Sequence, residues 1–75
     1  MEKFAFTLTS EWIGLNDLLK VTGLVHSGGT AKLMIADEQV RVDGKVETRK
    51  TCKIRAGQTV TLDGAVIVVL PPAAL

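Results

Sequence analysis

The spacing of apolar residues changes along the chain, and each change marks a new element. Between Phe4 and Leu8, large apolar residues alternate with smaller ones, which predicts a half-buried strand with both phenylalanines on one face. From Leu15 to Thr22 the apolar positions follow the i, i+3, i+4, i+7 spacing of one helix face. Gly23 is suited to the left-handed residue that ends a helix. We therefore expect a strand followed by a helix of about two turns.

A second helix is predicted to begin after Ser27, because serine is a preferred N-cap whose hydroxyl can accept from the amide of residue 29 or 30. Gly28 and Gly29 cost about 1 kcal/mol each in helix propensity relative to alanine. Small residues at a helix start allow close approach, either of the first helix or of a phosphate drawn to the free amides. We favour close packing, and the phosphate remains the alternative. The buried stripe of this helix is expected to comprise Ala31, Met34 and Ile35.

An Asp-Gly pair at residues 43–44 predicts a first hairpin between residues 39 and 48. A two-residue turn would place Val42 opposite Lys45 and mix apolar and charged groups on one face. We therefore expect a loop one residue longer, or a bulge, with the side chains of Arg41 and Glu47 turned outward. That register pairs Val42 with Val46, Val40 with Thr48 and Arg41 with Glu47, and places Lys45 at the tip.

A second Asp-Gly pair, at residues 63–64, joins two predicted strands, Thr59–Leu62 and Ala65–Leu70. The later strand is apolar on both faces, so it lies either in the middle of the sheet or on an intermolecular surface. Between the hairpins, residues 49–55 are expected to form a loop and a short strand. The fold class is therefore α+β, a single small domain over residues 1–75 with two short helices packed on a small, mostly antiparallel sheet.

Positive charge is concentrated in one segment, although the formal net charge of the chain is only +1. Residues 1–38 carry three lysines and five acidic side chains, whereas residues 39–55 carry six basic side chains and two acidic ones. Such a cluster can neutralise phosphates, or it can be a plain solvated face. The six basic residues are Arg41, Lys45, Arg49, Lys50, Lys53 and Arg55.

Composition narrows the class of protein. A chain of 75 residues with 47% hydrophobic residues describes one globular domain, and a domain of this size buries only about 60% of the surface of its unfolded chain. A deep catalytic cleft is not expected. Cys52 is the only cysteine and His26 the only histidine, so a catalytic dyad would need these two to meet across the fold. We assign no catalytic residue, no metal and no cofactor, and we interpret Cys52 as a small apolar filler.

No apolar run approaches the length of about 18 residues that suggests a membrane span, and no secretory signal is present, so we expect a cytoplasmic monomer without a membrane partner. Phe4 and Phe6 are expected in the core, and Trp12 has no clear role. Recognition of single strands by aromatic stacking therefore has little support. Contacts to the shape and backbone of a folded or double-stranded nucleic acid suit the chain better.

Several short signals occur in one order at compatible spacing, and together they resemble the S4-type RNA-binding domain, or alpha-L motif, over residues 13–62. They are Leu15-x-x-Leu18-Leu19, Gly23-Leu24-Val25, Ser27-x-x-x-Ala31-Lys32, the run from Val40 to Lys45, and the run from Ala56 to Val60. The Gly-Gly-x-Ala-Lys start of the second helix is similar to that of small stand-alone bacterial members of the YbcJ or YaaA type, in which the motif is essentially the whole protein.

This resemblance implies a non-catalytic protein that binds structured RNA, often ribosomal, through the start of the second helix and the first hairpin. On the helix it points to Ser27, Gly29, Thr30 and Lys32. On and after the hairpin it points to Arg41, Lys45, Arg49 and Lys50, and the same basic segment continues to Lys53 and Arg55.

The chain departs from the family pattern at three positions. Gly28 stands where many members have arginine, and Glu38 stands where glycine is frequent. Both changes lower the expected RNA affinity. Gln58 replaces a frequent aspartate in a turn. The alternative function is a protein-interaction module of the same fold that uses the apolar strand at residues 66–70 or Trp12.

Overall fold

Two helices and seven short strands make up residues 2–73, the part of the chain that this computed structural model describes. Neither helix in that range has the length and apolar character needed to span a membrane. In chain order the elements are β1 (Glu2–Thr7), β2 (Ile13–Gly14), α1 (Leu15–Val21), α2 (Gly28–Ala36), β3 (Val40–Val42), β4 (Lys45–Val46), β5 (Lys53–Ile54), β6 (Thr59–Leu62) and β7 (Ala65–Leu70).

Five strands form one sheet in the order β1-β7-β6-β3-β4, and β2 pairs with β5 in a separate two-stranded ribbon. Every pairing is antiparallel except that of β1 with β7, which is parallel. The predicted combination of two short helices with a small, mostly antiparallel sheet is confirmed. The sequence did not predict β2, because a strand of two residues is too short to show a periodicity.

Strand β7 lies between β1 and β6, so the interpretation of its apolar run as an inner strand is confirmed. Ala65, Ile67 and Val69 are buried on one face, while Val66 and Val68 are half-buried on the other. Phe4 and Phe6 of β1 lie opposite Ile67 and Val69 and pack against the core, as predicted.

Both helices follow their sequence signals. Helix α1 buries its three leucines completely, and Gly23 after it has a φ of 78°. Helix α2 starts at the Ser27 cap and buries Ala31 and Ile35, with Met34 half-buried beside them. The two helices pack against each other and complete one core with the inner face of the large sheet. The three leucines are Leu15, Leu18 and Leu19.

The first hairpin uses the two-residue turn, so the longer register expected from the sequence is wrong. Val42 lies opposite Lys45, and Asp43 and Gly44 have φ values of 52° and 83°, which are typical of a type I′ turn. Strand β4 is the edge of the sheet and both of its residues are exposed. Because neither residue faces the core, apolar matching cannot select the register and the turn geometry decides it.

Asp43 is held in this turn by the neighbouring strand. Its carboxylate accepts a hydrogen bond from the Thr59 amide at 2.9 Å, and its own amide donates to the Thr59 carbonyl at 2.8 Å. Gln58 supplements this contact, since its Nε2 donates to Asp43 at 3.4 Å while its Oε1 accepts from the Arg55 amide at 2.7 Å. Gln58 therefore closes the turn at residues 55–58 and joins it to the first hairpin.

The second hairpin has the predicted strands and a two-residue turn at Asp63 and Gly64, whose φ values are 39° and 77°. Here both strands carry alternating buried residues, so apolar pattern and turn chemistry favour the same register. This agreement explains why the register of this hairpin could be predicted, whereas the first hairpin was predicted at the right place but in the wrong register.

Candidate nucleic-acid interface

An open cleft of about 810 Å³ lies between helix α2 and the segment at residues 48–53, which we call the basic loop. Lys32 lines the cleft from the helix side, and the six residues of the basic loop line the other side. Four basic side chains predicted to contact RNA therefore meet on one concave surface. They are Lys32, Arg49, Lys50 and Lys53.

The basic loop is attached to the start of helix α1. The amide of Leu15 donates to the Cys52 carbonyl at 2.9 Å, and the amide of Asn16 donates to the Lys50 carbonyl at 3.1 Å. Amides in the first turn of a helix have no partner within the helix, so these bonds satisfy two of them. A turn closed by the Cys52 amide and the Arg49 carbonyl at 3.2 Å completes the loop.

The end of the basic loop is held by the β2–β5 ribbon. Ile13 lies opposite Ile54, which is completely buried, and Gly14 lies opposite Lys53. Because side chains alternate along a strand, burial of Ile54 turns Lys53 outward, where it lines the cleft.

Arg49 is paired with Glu47. The Arg49 guanidinium donates two hydrogen bonds to the Glu47 carboxylate, both at 3.0 Å, and this contact lowers the pKa of Glu47 to about 2 and raises that of Arg49. The Glu47 side chain is 15% exposed and folds back onto Arg49, so the expected outward orientation is wrong. Among residues 2–73 this is the one ion pair, which leaves Lys32, Lys50 and Lys53 without a carboxylate partner in that range.

Cys52 is the residue of the basic loop whose half-buried side chain packs against the core. Burial raises the pKa of the Cys52 thiol, and the Glu47 carboxylate raises it further by a smaller amount. The thiol therefore stays protonated at neutral pH. This environment suits the apolar filler predicted from the sequence. Within residues 2–73, no group of three or more His, Cys, Asp or Glu side chains is placed to hold a metal ion.

The start of helix α2 is capped as predicted, since Ser27 Oγ accepts from the Thr30 amide at 3.1 Å. A β-carbon at Gly28 would have no heavy atom within 4 Å beyond its chain neighbours and local helix backbone, and one at Gly29 would meet only Ser27 Oγ at 3.8 Å. The favoured explanation of these glycines, close packing against the first helix, is therefore wrong. The alternative, close approach of a phosphate to the backbone, stays a prediction.

The remaining predicted contact residues do not line the cleft. Thr30 lines a separate depression along α2 with Leu33, and Arg41 lines a third one on the large sheet with Thr61. Ser27 and Gly29 lie at the exposed start of α2, Lys45 follows the first hairpin turn, and Arg55 follows β5.

Sequence reasoning missed two features of this region. Thr48, Thr51 and Cys52 line the cleft together with the basic residues, and their places within the basic run could have suggested this. Trp12 is 41% exposed, and the Lys53 ammonium lies 5.0 Å from the centroid of its ring. No local signal predicts that contact, because it depends on the pairing of β2 with β5.

Comparison with known proteins shows a family and several relatives to which this chain is similar. A family model described as the S4 domain matches residues 6–70. YbcJ of Escherichia coli K12 is 60% identical over 52 residues, which cover 69% of this chain and 74% of YbcJ. A Bacillus subtilis protein named "Probable ribosome maturation protein RlbA" is 29% identical over 58 residues, covering 77% of this chain and 82% of RlbA.

The fold also matches a solved structure. The solution structure of Escherichia coli YbcJ, described as revealing an alpha-L motif involved in RNA binding, aligns with a TM-score of 0.69 and 51% identity. The alignment covers 88% of this chain and 85% of YbcJ. The alpha-L architecture expected from the sequence is thus confirmed.

Proposed function

This chain belongs to the S4 domain family, and we propose that it is a non-catalytic RNA-binding protein whose main contact surface is the cleft between α2 and the basic loop. The observation that carries the proposal is the convergence of Lys32 with Arg49, Lys50 and Lys53 on one concave surface. The description of the YbcJ alpha-L motif as involved in RNA binding supports RNA as the ligand.

Structured RNA fits this surface better than an extended single strand does. The cleft is lined by cations and hydroxyl groups and by no aromatic side chain, so it offers contacts to phosphates and ribose hydroxyls rather than stacking surfaces for unpaired bases. The name of RlbA supports ribosomal RNA as the class of target. A ribosomal target would place the protein in the cytoplasm.

The electrostatic part of binding can be estimated from the cleft. Each phosphate contact contributes about −0.7 to −0.9 to the slope of log affinity against log salt concentration, so four contacts give about −3 to −4. Lys32, Lys50 and Lys53 lack a carboxylate partner within residues 2–73 and supply diffuse positive charge. Arg49, held by Glu47, supplies an oriented guanidinium whose remaining N–H groups can reach a phosphate.

The proposal is tested by titrating a stem-loop RNA of mixed sequence into the protein at about 50 and 200 mM salt. Arg49→Ala combined with Lys50→Ala should weaken binding at low salt and reduce the magnitude of the slope by about 1.4 to 1.8. The matched control is Lys3→Ala combined with Lys20→Ala, which removes the same charge from exposed positions outside the cleft and should leave the slope nearly unchanged.

Absence of RNA binding by the wild-type protein at low salt would overturn the proposal, as would equal losses in the two double variants. Capture of one specific protein with little salt dependence would instead favour the interaction module of the same fold.

A second comparison defines how far the surface extends. Lys32 lines the cleft, whereas Lys45 lies outside it on the edge strand β4. Lys32→Ala should therefore weaken RNA binding more than Lys45→Ala, with little change in thermal stability for either, because both side chains are exposed. Equal losses of affinity would extend the contact surface to the hairpin, as the sequence had suggested.

A further inference from the structure

The large aromatic side chain of Trp12 is not part of the hydrophobic core. It remains 41% exposed, although three other large apolar residues nearby in sequence, Ile13, Leu15 and Leu18, pack into the core or against it. Its ring is in contact with the ammonium group of Lys53, at 5.0 Å from the ring centroid. Lys53 also lines the basic cleft, so Trp12 lies only one side chain away from the proposed RNA surface.

The β2–β5 ribbon explains why Trp12 and Lys53 share a side. Ile13 and Ile54 lie opposite each other and turn inward, Ile54 being fully buried. Lys53 precedes Ile54 within β5, and Trp12 immediately precedes Ile13 at the start of β2, so both side chains are directed away from the core and are exposed. The position of the ring is thus set by the same ribbon that holds the end of the basic loop.

We propose that Trp12 is a stacking platform for one unpaired base of the bound RNA, adjacent to the paired segment whose backbone occupies the cleft. This inference rests on the proposed function and adds a preference for RNA stems that carry an unpaired nucleotide. An exposed indole offers a π-face to any base, and stacking on aromatic side chains is the usual way in which proteins hold unstacked bases.

The contact between Lys53 and Trp12 does not prevent a base from stacking on the ring. An exposed cation–π contact is weak, so the flexible lysine can leave the ring when a base arrives. Its ammonium can then bind the phosphate of the same nucleotide, in a surface that already holds Lys50 and Arg49. On RNA binding, a base thus replaces the Lys53 ammonium at the Trp12 ring, and the ammonium binds a phosphate instead of the ring.

The sequence provides a specific probe. Trp12 is the only tryptophan and the chain has no tyrosine, so intrinsic fluorescence reports on this one ring. Three RNA hairpins of identical stem sequence are compared, one fully paired, one with a single unpaired adenosine and one with an abasic nucleotide at that position. We expect the unpaired adenosine to quench Trp12 fluorescence and to bind about 5- to 150-fold more tightly than the abasic hairpin.

Two variants separate stacking from a structural role of the ring. Trp12→Leu keeps apolar bulk but removes the π-face, so in titrations read out with fluorescently labelled RNA the preference for adenosine over the abasic nucleotide should disappear while binding of the fully paired hairpin persists. Trp12→Phe should restore part of the preference. Thermal unfolding of both variants, compared with wild type, shows whether the ribbon remains intact.

Equal quenching by the adenosine and abasic hairpins would overturn this inference, and so would a preference that survives in Trp12→Leu. In both cases salt-dependent binding of the paired hairpin would leave the proposed function in place. If none of the three hairpins binds at low salt, the proposed function and the stacking site are both wrong.

Discussion

The Glu47 carboxylate accepts three hydrogen bonds from Arg49, two from the guanidinium at 3.0 Å and one from the backbone amide at 2.9 Å. One acidic side chain thus orients both the backbone and the side chain at the start of the turn in the basic loop. The Arg49 side chain is 76% exposed, and the other N–H groups of its guanidinium pair with no carboxylate within residues 2–73. The ion pair therefore holds the Arg49 guanidinium in a fixed position at the cleft, although the Glu47 carboxylate offsets its positive charge.

This pair predicts a specific acid dependence of stability. Because Arg49 lowers the pKa of Glu47 to about 2, the folded state binds the proton less tightly than the unfolded chain does. The stabilisation is present above the ordinary carboxyl range and is lost as the pH falls through about 2. In urea unfolding at a series of pH values, Glu47→Gln should be less stable than wild type from about pH 5 upward, and the difference should shrink towards pH 2.

The shape of the pH profile identifies the responsible group. A difference between Glu47→Gln and wild type that stays constant from neutral pH down to pH 2 would show that the carboxylate charge does not contribute, and that only packing was altered.

The end of helix α2 stores backbone strain at Glu38. The amide of Glu38 donates to the Ile35 carbonyl at 3.2 Å and that of Gln39 to the Met34 carbonyl at 3.1 Å, which is the bond pattern of a Schellman motif. This motif requires a left-handed residue, usually glycine, and Glu38 has a φ of 61°. Glu38→Gly should therefore raise the free energy of unfolding by about 0.5 to 1 kcal/mol.

Glu38→Gln is the matched control, because it removes the same charge but keeps the β-carbon. Thermal unfolding should show little change for the glutamine variant. Equal stabilisation by both variants would mean that relief of charge repulsion, and not relief of strain, is the cause.

The Asp43 carboxylate should contribute measurably to the stability of the first hairpin. Asp43→Ala leaves the Thr59 amide without its acceptor and replaces a residue that tolerates positive φ, so we expect a loss of about 1 to 2 kcal/mol in urea unfolding. Asp43→Asn retains an acceptor oxygen and the same tolerance and should lose less. Equal losses would show that the hydrogen bond to Thr59 is not what stabilises the turn.

Gly29 should affect stability and RNA binding in opposite directions. A β-carbon at this position meets only Ser27 Oγ at 3.8 Å, so Gly29→Ala should stabilise the protein by up to about 1 kcal/mol through helix propensity. If a phosphate approaches the backbone here, the added methyl group should weaken binding of a stem-loop RNA. A variant that is more stable and binds RNA as tightly as wild type would remove the phosphate explanation for this glycine.

Local signals predicted much of the fold. The caps at Ser27 and Gly23 and the buried stripes of both helices were predicted because each depends on residues within about one or two turns of the chain. The second hairpin was predicted for the same reason, since Asp63 and Gly64 favour the same register as the alternating burial around them. The register of the first hairpin was mispredicted because an exposed edge strand has no buried face to choose its register.

The candidate site was predicted less completely. The basic residues could be found from composition, but the sequence did not separate those in the cleft from those outside it, such as Arg41 and Lys45. It also contained no sign that Lys53 contacts Trp12. Each of these facts depends on which strands and helices become neighbours.

The sequence by itself determined the element types apart from β2, the helix ends and the segregation of positive charge, because these follow from residues close together in the chain. Tertiary structure alone decided that Lys32 faces the basic loop, through the bonds from the Leu15 and Asn16 amides to that loop and through the β2–β5 ribbon. Hydrogen bonds between distant segments depend on the packing of the whole core, and a local pattern does not encode them.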